Sequence, residues 1–129
     1  IKSPRASNVR RGFPARVVVD ADNQTFWGTN DDVREATLTM TLRRPTPLYC
    51  LRLREPIRLG QRIDHFRIEA LAPSGEWKPV ADGTTIGPQR ILRLPEGTEA
   101  SAIRLTVGSA EAYPLLSEVQ FFLPPEDAE

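Results

Sequence analysis

Apolar and polar residues alternate along several short segments of the chain. The clearest is residues 36–42, in which Leu38, Met40 and Leu42 are separated by threonines. Because successive side chains of a β-strand point to opposite faces, this alternation predicts a half-buried strand with the three apolar residues on one face. Four further segments show the same alternation with charged residues facing outward, namely residues 49–54, 65–71, 103–107 and 117–121. Shorter candidates are residues 15–19, 77–81 and 90–94, which gives about eight strands in all.

Turn-forming residues separate these segments. They are Pro45 and Pro47, Pro56 and Gly60, Pro73 and Gly75, Asp82 and Gly83, Pro95 and Gly97, and Pro114. Twelve prolines spread in this way argue against long helices. Short strands with turns between them are typical of an antiparallel β-sandwich or jelly roll. We therefore predict an all-β domain over residues 7–123, with tails at residues 1–6 and 124–129.

The composition fits one folded domain and excludes several functions. A chain of 129 residues is long enough for one core. Cys50 is the single cysteine, which excludes an intrachain disulfide and a cysteine-based zinc cluster. Seventeen basic residues balance seventeen acidic ones, so we expect neither nucleic acid nor a membrane as a partner. Because the chain opens at Ile1 with a polar, basic stretch, we expect it to be a fragment of a larger protein.

No group of side chains suggests catalysis. His65 is the single histidine, and it lies on the outward side of its predicted strand beside Asp64, with no nucleophile marked near it. Aspartates and glutamates are plentiful, but their surroundings single out no pair for glycoside hydrolysis. The chain also lacks a glycine-rich phosphate loop. We therefore expect a non-catalytic module.

One polar loop has the composition of a cation site. Oxygen-bearing side chains stand at Asp20, Asp22 and Thr25, with small or turn-prone residues between them. A loop of this kind can direct several hard oxygens onto one point, as Ca²⁺ requires. The same residues also suit a polar turn closed by hydrogen bonds between side chains and backbone. The pattern alone leaves both alternatives open.

The residues of this loop and of later segments carry a resemblance to a known family. Residues 20–27 (DADNQTFW) resemble the "DGDxxTxW" loop of discoidin-like domains, also called coagulation factor V/VIII type C domains. Residues 53–63 and 114–119 resemble two further segments of that family, and residues 83–92 (GTTIGPQRIL) resemble the C-terminal sandwich domain of α-L-fucosidases. The similarity runs from about residue 7 to residue 123. It implies an antiparallel jelly roll of the discoidin, galactose-binding-like type.

The resemblance implies a structural metal site. In metal-containing members of the family the ion is held by this loop, by nearby backbone carbonyls and by a glutamate on the last strand. Carried over to this chain, the ligands are the side chains of Asp20, Asp22, Thr25 and Glu118 and the backbone oxygens of Val17 and Ser117. The ion expected is Ca²⁺. Its expected role is structural, because a site closed by protein oxygens leaves no open position for catalysis.

The resemblance also implies an accessory role in a glycoside hydrolase of the α-L-fucosidase type. We expect a carbohydrate ligand, a neighbouring catalytic domain in the same parent chain, and an extracellular or periplasmic location for that parent. Discoidin-like modules hold ligands on the loops at one end of the sandwich. In this chain those loops offer Asn30, Asp31, Asp32, Glu55, Arg62, Thr84, Thr85 and Tyr113.

The aromatic residues separate this function from its main alternative. Trp27 and Trp77 are expected in the core, whereas Tyr113 is expected to be exposed on a loop. The alternative is a discoidin module that binds a protein or a membrane, which requires apolar residues projecting from loops beside basic residues. Only Tyr113 with Leu115 and Leu116 offers such a projection, so we regard this alternative as the weaker one.

Overall fold

The computed structural model describes residues 4–19, 25–56, 59–109 and 113–124. In chain order the elements are β1 (Arg5–Ala6), a 3-10 helix (Ala15–Val19), β2 (Trp27–Gly28), β3 (Glu35–Pro47), β4 (Cys50–Arg54), β5 (His65–Leu71), β6 (Trp77–Gly83), β7 (Arg90–Arg93), β8 (Glu99–Gly108), β9 (Leu115–Leu116) and β10 (Glu118–Phe122). Antiparallel strands dominate, which confirms the predicted all-β class. Over the described ranges, no helix is long and apolar enough to cross a membrane.

The strands form two main sheets and one short pair. The larger sheet has the order β1-β3-β8-β5-β6, the smaller has the order β10-β4-β7, and β2 pairs with β9. Side chains from both main sheets meet in one core, with Leu38 and Ile68 from the larger sheet and Leu51 and Leu53 from the smaller. A single core between two antiparallel sheets is the arrangement of a β-sandwich.

The five segments with clear alternation coincide with β3, β4, β5, β8 and β10, whereas Asp82 and Gly83, expected in a turn, lie at the end of β6. Leu38 and Met40 of β3 are fully buried, and Leu42 packs against the edge of the core. The strand runs further than predicted and includes Pro45 and Pro47, which were expected in a turn. These prolines are accommodated because the register of β3 against β8 shifts between Thr41 and Thr46, and because β1 pairs with β3 only at residues 38 and 39.

Two end segments differ from the prediction. Residues 15–19 were predicted as a strand, but they form a 3-10 helix. Its buried residues are Ala15 and Val18, which are three positions apart, and a helix with three residues per turn places these two side chains on one side. Packing therefore outweighs the strand preference of the three valines. Residues 5 and 6, placed in the N-terminal tail by the sequence, pair with β3 as β1.

The two tryptophans lie in different environments. Trp27 is fully buried, as predicted. Trp77 was expected in the core, but it pairs with Leu71 on the outer face of the larger sheet and is half-buried. The guanidinium of Arg104 lies over its ring, 4.3 Å from the centroid, and the Nε of Arg104 donates to Oε1 of Glu69 at 3.0 Å. This hydrogen bond lowers the pKa of Glu69 below its ordinary value.

Candidate functional site

Three loops leave the larger sheet at the same end. β3 begins at Glu35, β5 begins at His65 and β8 ends at Gly108, and these residues are partners in one row across the sheet. The segments before Glu35, before His65 and after Gly108 are therefore neighbours. Most of the predicted ligand residues lie on these segments, so the sheet brings loops that are distant in sequence to one end of the sandwich.

Two guanidinium groups contact the ring of Tyr113 at this end. The Cζ of Arg10 is 4.1 Å from the ring centroid, and that of Arg62 is 4.5 Å from it. Both guanidinium groups therefore lie within contact distance of the same aromatic ring. Attraction between a cation and the electron-rich ring face stabilises both contacts. Tyr113 is half-buried as a result, which corrects the prediction of an exposed aromatic residue.

Arg10 links the N-terminal segment to the loop before β3 through a hydrogen bond and an ion pair. Its Nε donates to the carbonyl of Thr29 at 2.8 Å, and its guanidinium forms an ion pair with Asp31. Sequence reasoning missed Arg10 as a site residue, because its partners Asp31 and Tyr113 are far away in the sequence and no motif marks it. Arg62 differs, since none of the described carboxylates pairs with it and its NH2 lies 3.5 Å from the carbonyl of Leu59.

Glu55, predicted as a ligand residue, is buried with an exposed fraction of 4%. Its Oε2 accepts hydrogen bonds from the backbone N–H of Arg62 at 2.8 Å and of Ile63 at 3.2 Å. Its Oε1 accepts one from the N–H of Gly87 at 2.9 Å. The carboxylate is therefore used inside the protein, where it joins the loop before β5 to the loop before β7, and it is not presented to a ligand.

The remaining predicted ligand residues are exposed. The N–H of Asn30 donates to Oδ1 of Asn8 at 2.9 Å, which links Asn30 to the segment that carries Arg10. The carbonyl of Thr85 accepts a hydrogen bond from Arg90, while Asp32 lies on the turn before β3. The structure thus brings Arg62 and Tyr113 into direct contact and connects Asn30 to them indirectly. Within the described residues, no hydrogen bond joins Asp32 or Thr85 to this group.

His65 lies beside the three loops and is exposed, as the sequence predicted. Its Nδ1 is 2.7 Å from Oδ1 of Asp64, and its Nε2 is 3.2 Å from Oε2 of Glu35. The hydrogen bond with Asp64, followed by that with Glu35, raises the pKa of His65 above its ordinary value. The imidazole therefore carries a proton over a wider pH range than an isolated histidine does.

The predicted metal ligands fall into two groups. Asp20 and Asp22 lie outside the described residues. Val17 belongs to the 3-10 helix, which contacts both β2 and β10, while Ser117 and Glu118 lie where β9 passes into β10. β2 and β9 pair through Trp27 with Leu116, so Thr25 and Glu118 each stand two residues from this pair along the chain. The described members of the predicted set thus lie on elements that contact one another.

Glu118 was expected to face outward, but it is buried with an exposed fraction of 6%. Its Oε2 is 3.2 Å from Nε of Arg54 and its Oε1 is 3.5 Å from NH2 of Arg52. These are ion-pair distances, yet Oε2 forms no hydrogen bond of good geometry with the described residues. A buried carboxylate oxygen without a hydrogen bond suits a metal ligand. In the described ranges no group of three histidine, cysteine or acidic side chains is placed to hold a metal ion, so a complete site requires Asp20 and Asp22.

Comparison with known proteins gives consistent results. The family profile described as "F5/8 type C domain" matches residues 3–119. Alpha-L-fucosidase 1 of Arabidopsis thaliana is 31% identical over 112 residues, which cover 86% of this chain and 22% of that protein. A Ruminococcus gnavus GH29 fucosidase, solved in complex with fucose, is 31% identical with a TM-score of 0.88 and matches 98% of this chain and 26% of its own.

A smaller solved chain shares the fold over most of its length. The family 32 CBM from C. perfringens NanJ, solved in complex with galactose, is 18% identical with a TM-score of 0.82, and the match covers 92% of this chain and 91% of that one. At this identity the likeness establishes the fold alone. The chain therefore spans about a quarter of the fucosidases that it matches, but 91% of the solved module from NanJ.

Proposed function

The chain belongs to the F5/8 type C domain family, and on this basis we propose that it is the carbohydrate-binding accessory domain of an α-L-fucosidase. The domain itself is non-catalytic. The fucosidases resemble it over about a quarter of their length, so the carboxylates that hydrolyse a fucoside belong to a separate domain in this proposal. Its contribution to the parent enzyme is to hold a sugar or to support the catalytic domain.

The sugar-binding part of the proposal is supported by the arginine stack, formed by Arg10, Tyr113 and Arg62. It lies at the loop end, where the three loops leave the larger sheet. Contact with the ring restricts both guanidinium groups, so less side-chain entropy is lost when they donate hydrogen bonds to a ligand. Arg10 is already paired with Asp31, which leaves Arg62 as the cation whose N–H groups can serve a ligand. A guanidinium edge matches two neighbouring sugar hydroxyls or a sugar carboxylate. Two neighbouring hydroxyls are what a neutral terminal sugar offers.

The test is a titration of the isolated chain with L-fucose and with D-galactose, followed by amide chemical shifts. A site on open loops offers few hydrogen bonds, so we expect a binding free energy on the order of 4 to 6 kcal/mol, in the high micromolar to millimolar range. Arg62→Ala should weaken binding by about tenfold or more, because a hydrogen bond to a charged group is worth ~1.5–3 kcal/mol.

A matched control exists on the other side of the molecule. Arg93 lies over the ring of Tyr49 at 4.7 Å, so it is also an arginine stacked on a tyrosine, but it belongs to the far end of β7. Arg93→Ala should leave the affinity unchanged. Equal affinities in the wild type and Arg62→Ala, or shifts that avoid Arg10, Arg62 and Tyr113, would place the sugar elsewhere and remove the support for this site.

A structural Ca²⁺ forms the second part of the proposal. Asp20, Asp22, Thr25 and Glu118 would hold it through their side chains, and Val17 and Ser117 through their backbone oxygens. The described residues support this role, because Glu118 has a buried oxygen without a hydrogen bond and because Trp27, two residues after Thr25, pairs with Leu116, two residues before Glu118. The ion would supply positive charge where carboxylates converge. The partial pairing of Glu118 with Arg52 and Arg54 supplies some of that charge within the chain itself.

The structure gives less support to the alternative of a membrane-binding module. Leu115 and Leu116, expected to project from a loop, are buried with exposed fractions of 2% and 0% and pair with β2. In the described part of the loop end, Val9 and Leu59 are exposed apolar residues, each with an exposed fraction of 42%. Two separate aliphatic side chains form a smaller apolar surface than the projecting loops of such a module require.

A further inference from the structure

A glycine stands at the centre of the last row of the larger sheet, below the candidate ligand site. Glu35 of β3 and His65 of β5 both pair with Gly108 of β8, one on each side. A β-carbon at position 108 would lie 2.1 Å from Nε2 of His65, so a side chain does not fit there. Because position 108 has none, Glu35 and His65 meet above β8, with Oε2 and Nε2 separated by 3.2 Å.

The imidazole of His65 has a carboxylate at each nitrogen. Asp64 lies at Nδ1 and Glu35 lies at Nε2. A neutral imidazole carries a hydrogen on one nitrogen only, whereas the protonated ring donates from both. The two contacts are therefore hydrogen bonds at the same time only while His65 is protonated. When the proton leaves, the ring can donate to only one of the two carboxylates.

Among the described residues, the other charged groups around His65 do not replace this pairing. On β5, Arg67 lies two residues along on the same face, but its Nε is directed to Glu69 at 3.8 Å. On β6, Asp82 lies opposite Arg67 in the next row. β8 presents Gly108 and Thr106 here and no charged side chain. On the β3 side, the guanidinium of Arg34 donates to the carbonyl of Asp31 at 2.8 Å.

This row is also the point from which the site loops leave the sheet. The N–H of Asp64 donates to the carbonyl of Gly108 at 2.9 Å, and the N–H of Ser109 donates to the carbonyl of Arg34 at 2.8 Å. The row thus joins the loop of Asp31, the loop of Arg62 and the segment leading to Tyr113. A change in the distance between Glu35 and His65 therefore alters the sheet at the points where all three segments leave it.

We propose that Glu35, Gly108, His65 and Asp64 form a proton-dependent tie, which holds the site loops together while His65 is protonated and loosens them when it is neutral. Its effect on sugar binding rests on the function proposed above. The effect on the loops themselves does not depend on any ligand.

The direction of the pH effect follows from the two carboxylates. They favour the protonated form of His65 in the folded chain, so the tie stabilises the fold fully at a pH below the ordinary pKa of 6.5. The stabilisation is lost as the pH rises through the higher pKa of the folded state. Ion pairs this exposed contribute ~0.2–1 kcal/mol, so sugar affinity should fall roughly 1.5- to 5-fold across this transition.

The experiment is an NMR titration of the chain between mildly acidic and alkaline pH. The imidazole signals of His65 give its pKa, and the amide signals of Asp31, Arg62 and Tyr113 report on the loops. We expect the pKa to lie above 6.5 and the three amides to titrate with the same midpoint. Glu35→Gln should lower the pKa of His65 and reduce the amide changes. Asp82→Asn removes a carboxylate from the same face one row away and should leave both unchanged.

The outcomes separate this proposal from the proposed function. A His65 pKa at or below its ordinary value, loop amides that do not follow it, or equal effects of Glu35→Gln and Asp82→Asn would each overturn the tie. Adding L-fucose or D-galactose at both ends of the pH range then tests the link to binding. If the loops titrate with His65 but neither sugar shifts any amide, the tie stands and the sugar-binding function fails.

Discussion

Glu55 and Glu118 are the two buried carboxylates in the described part of the chain, and different groups stabilise their charges. Glu55 accepts three backbone hydrogen bonds from two loops, while Glu118 lies between two arginines and keeps one oxygen without a hydrogen bond. Both residues stand in segments that the sequence singled out by resemblance. The motif marked the right positions, but it did not reveal the direction of each side chain, because that depends on partners such as Gly87 and Arg52 that are distant in sequence.

The three hydrogen bonds of Glu55 predict that replacing this residue strongly destabilises the fold. Glu55→Ala leaves the N–H groups of Arg62, Ile63 and Gly87 without their acceptor, and each buried unpaired donor is costly. We expect the free energy of unfolding to fall by about 2 to 4 kcal/mol, measured by urea denaturation. Glu76→Ala, at an exposed position in the turn before β6, should change it by no more than about 0.5 kcal/mol. Similar losses in the two variants would show that the loops do not depend on Glu55.

The sequence predicted those strands in which buried and exposed residues alternate. β3, β4 and β5 each bury one face, and a period of two specifies that face without knowledge of the partners. β8 lies between β3 and β5 and buries side chains on both faces in its second half. The 3-10 helix was not accessible, because its three consecutive valines fit a strand equally well and only contact with β2 and β10 decides between them. The position of the outer-face Trp77 was also missed, since its strand lies at the sheet edge, where both faces are partly exposed.

The junction of the 3-10 helix with β10 carries the prediction about calcium. A bound ion at Asp20, Asp22, Thr25 and Glu118 would join the first part of the chain to the last strand. At a free concentration a hundred times its dissociation constant it adds about 2.7 kcal/mol, so EDTA should lower the melting temperature by roughly 10 °C. Glu118→Gln should abolish the difference between melting in Ca²⁺ and in EDTA, whereas Glu99→Gln, exposed at the start of β8, should retain it. Identical melting of the wild type in Ca²⁺ and EDTA would mean that the loop is only a polar turn.

At the scale of the whole molecule, the fold and the site differ in how far the sequence determines them. The sandwich follows from local alternation and turn residues, which repeat along the chain. The site depends on Arg10, Arg62 and Tyr113, which come together only because the row of Glu35, Gly108 and His65 gathers three loops at one end. Sequence reasoning therefore found Arg62 and Tyr113 as separate candidates, yet it missed their contact and it missed Arg10.

The overall charge and the loop end together predict how the chain behaves toward membranes. Seventeen basic and seventeen acidic residues cancel, so no long-range field draws the molecule to an anionic surface. Val9 and Leu59 are exposed beside the arginine stack, but Leu115 and Leu116 are held in the β2–β9 pair. We expect less than a tenth of the protein molecules to sediment with phosphatidylserine vesicles at physiological salt. A bound fraction of one tenth corresponds to a binding free energy that is unfavourable by roughly 1.4 kcal/mol at the lipid concentration used. Phosphatidylcholine vesicles serve as the neutral control. Strong sedimentation with phosphatidylserine that Val9→Ser and Leu59→Ser abolish would favour membrane binding over sugar binding, because it would assign the exposed apolar residues of the loop end to a lipid surface.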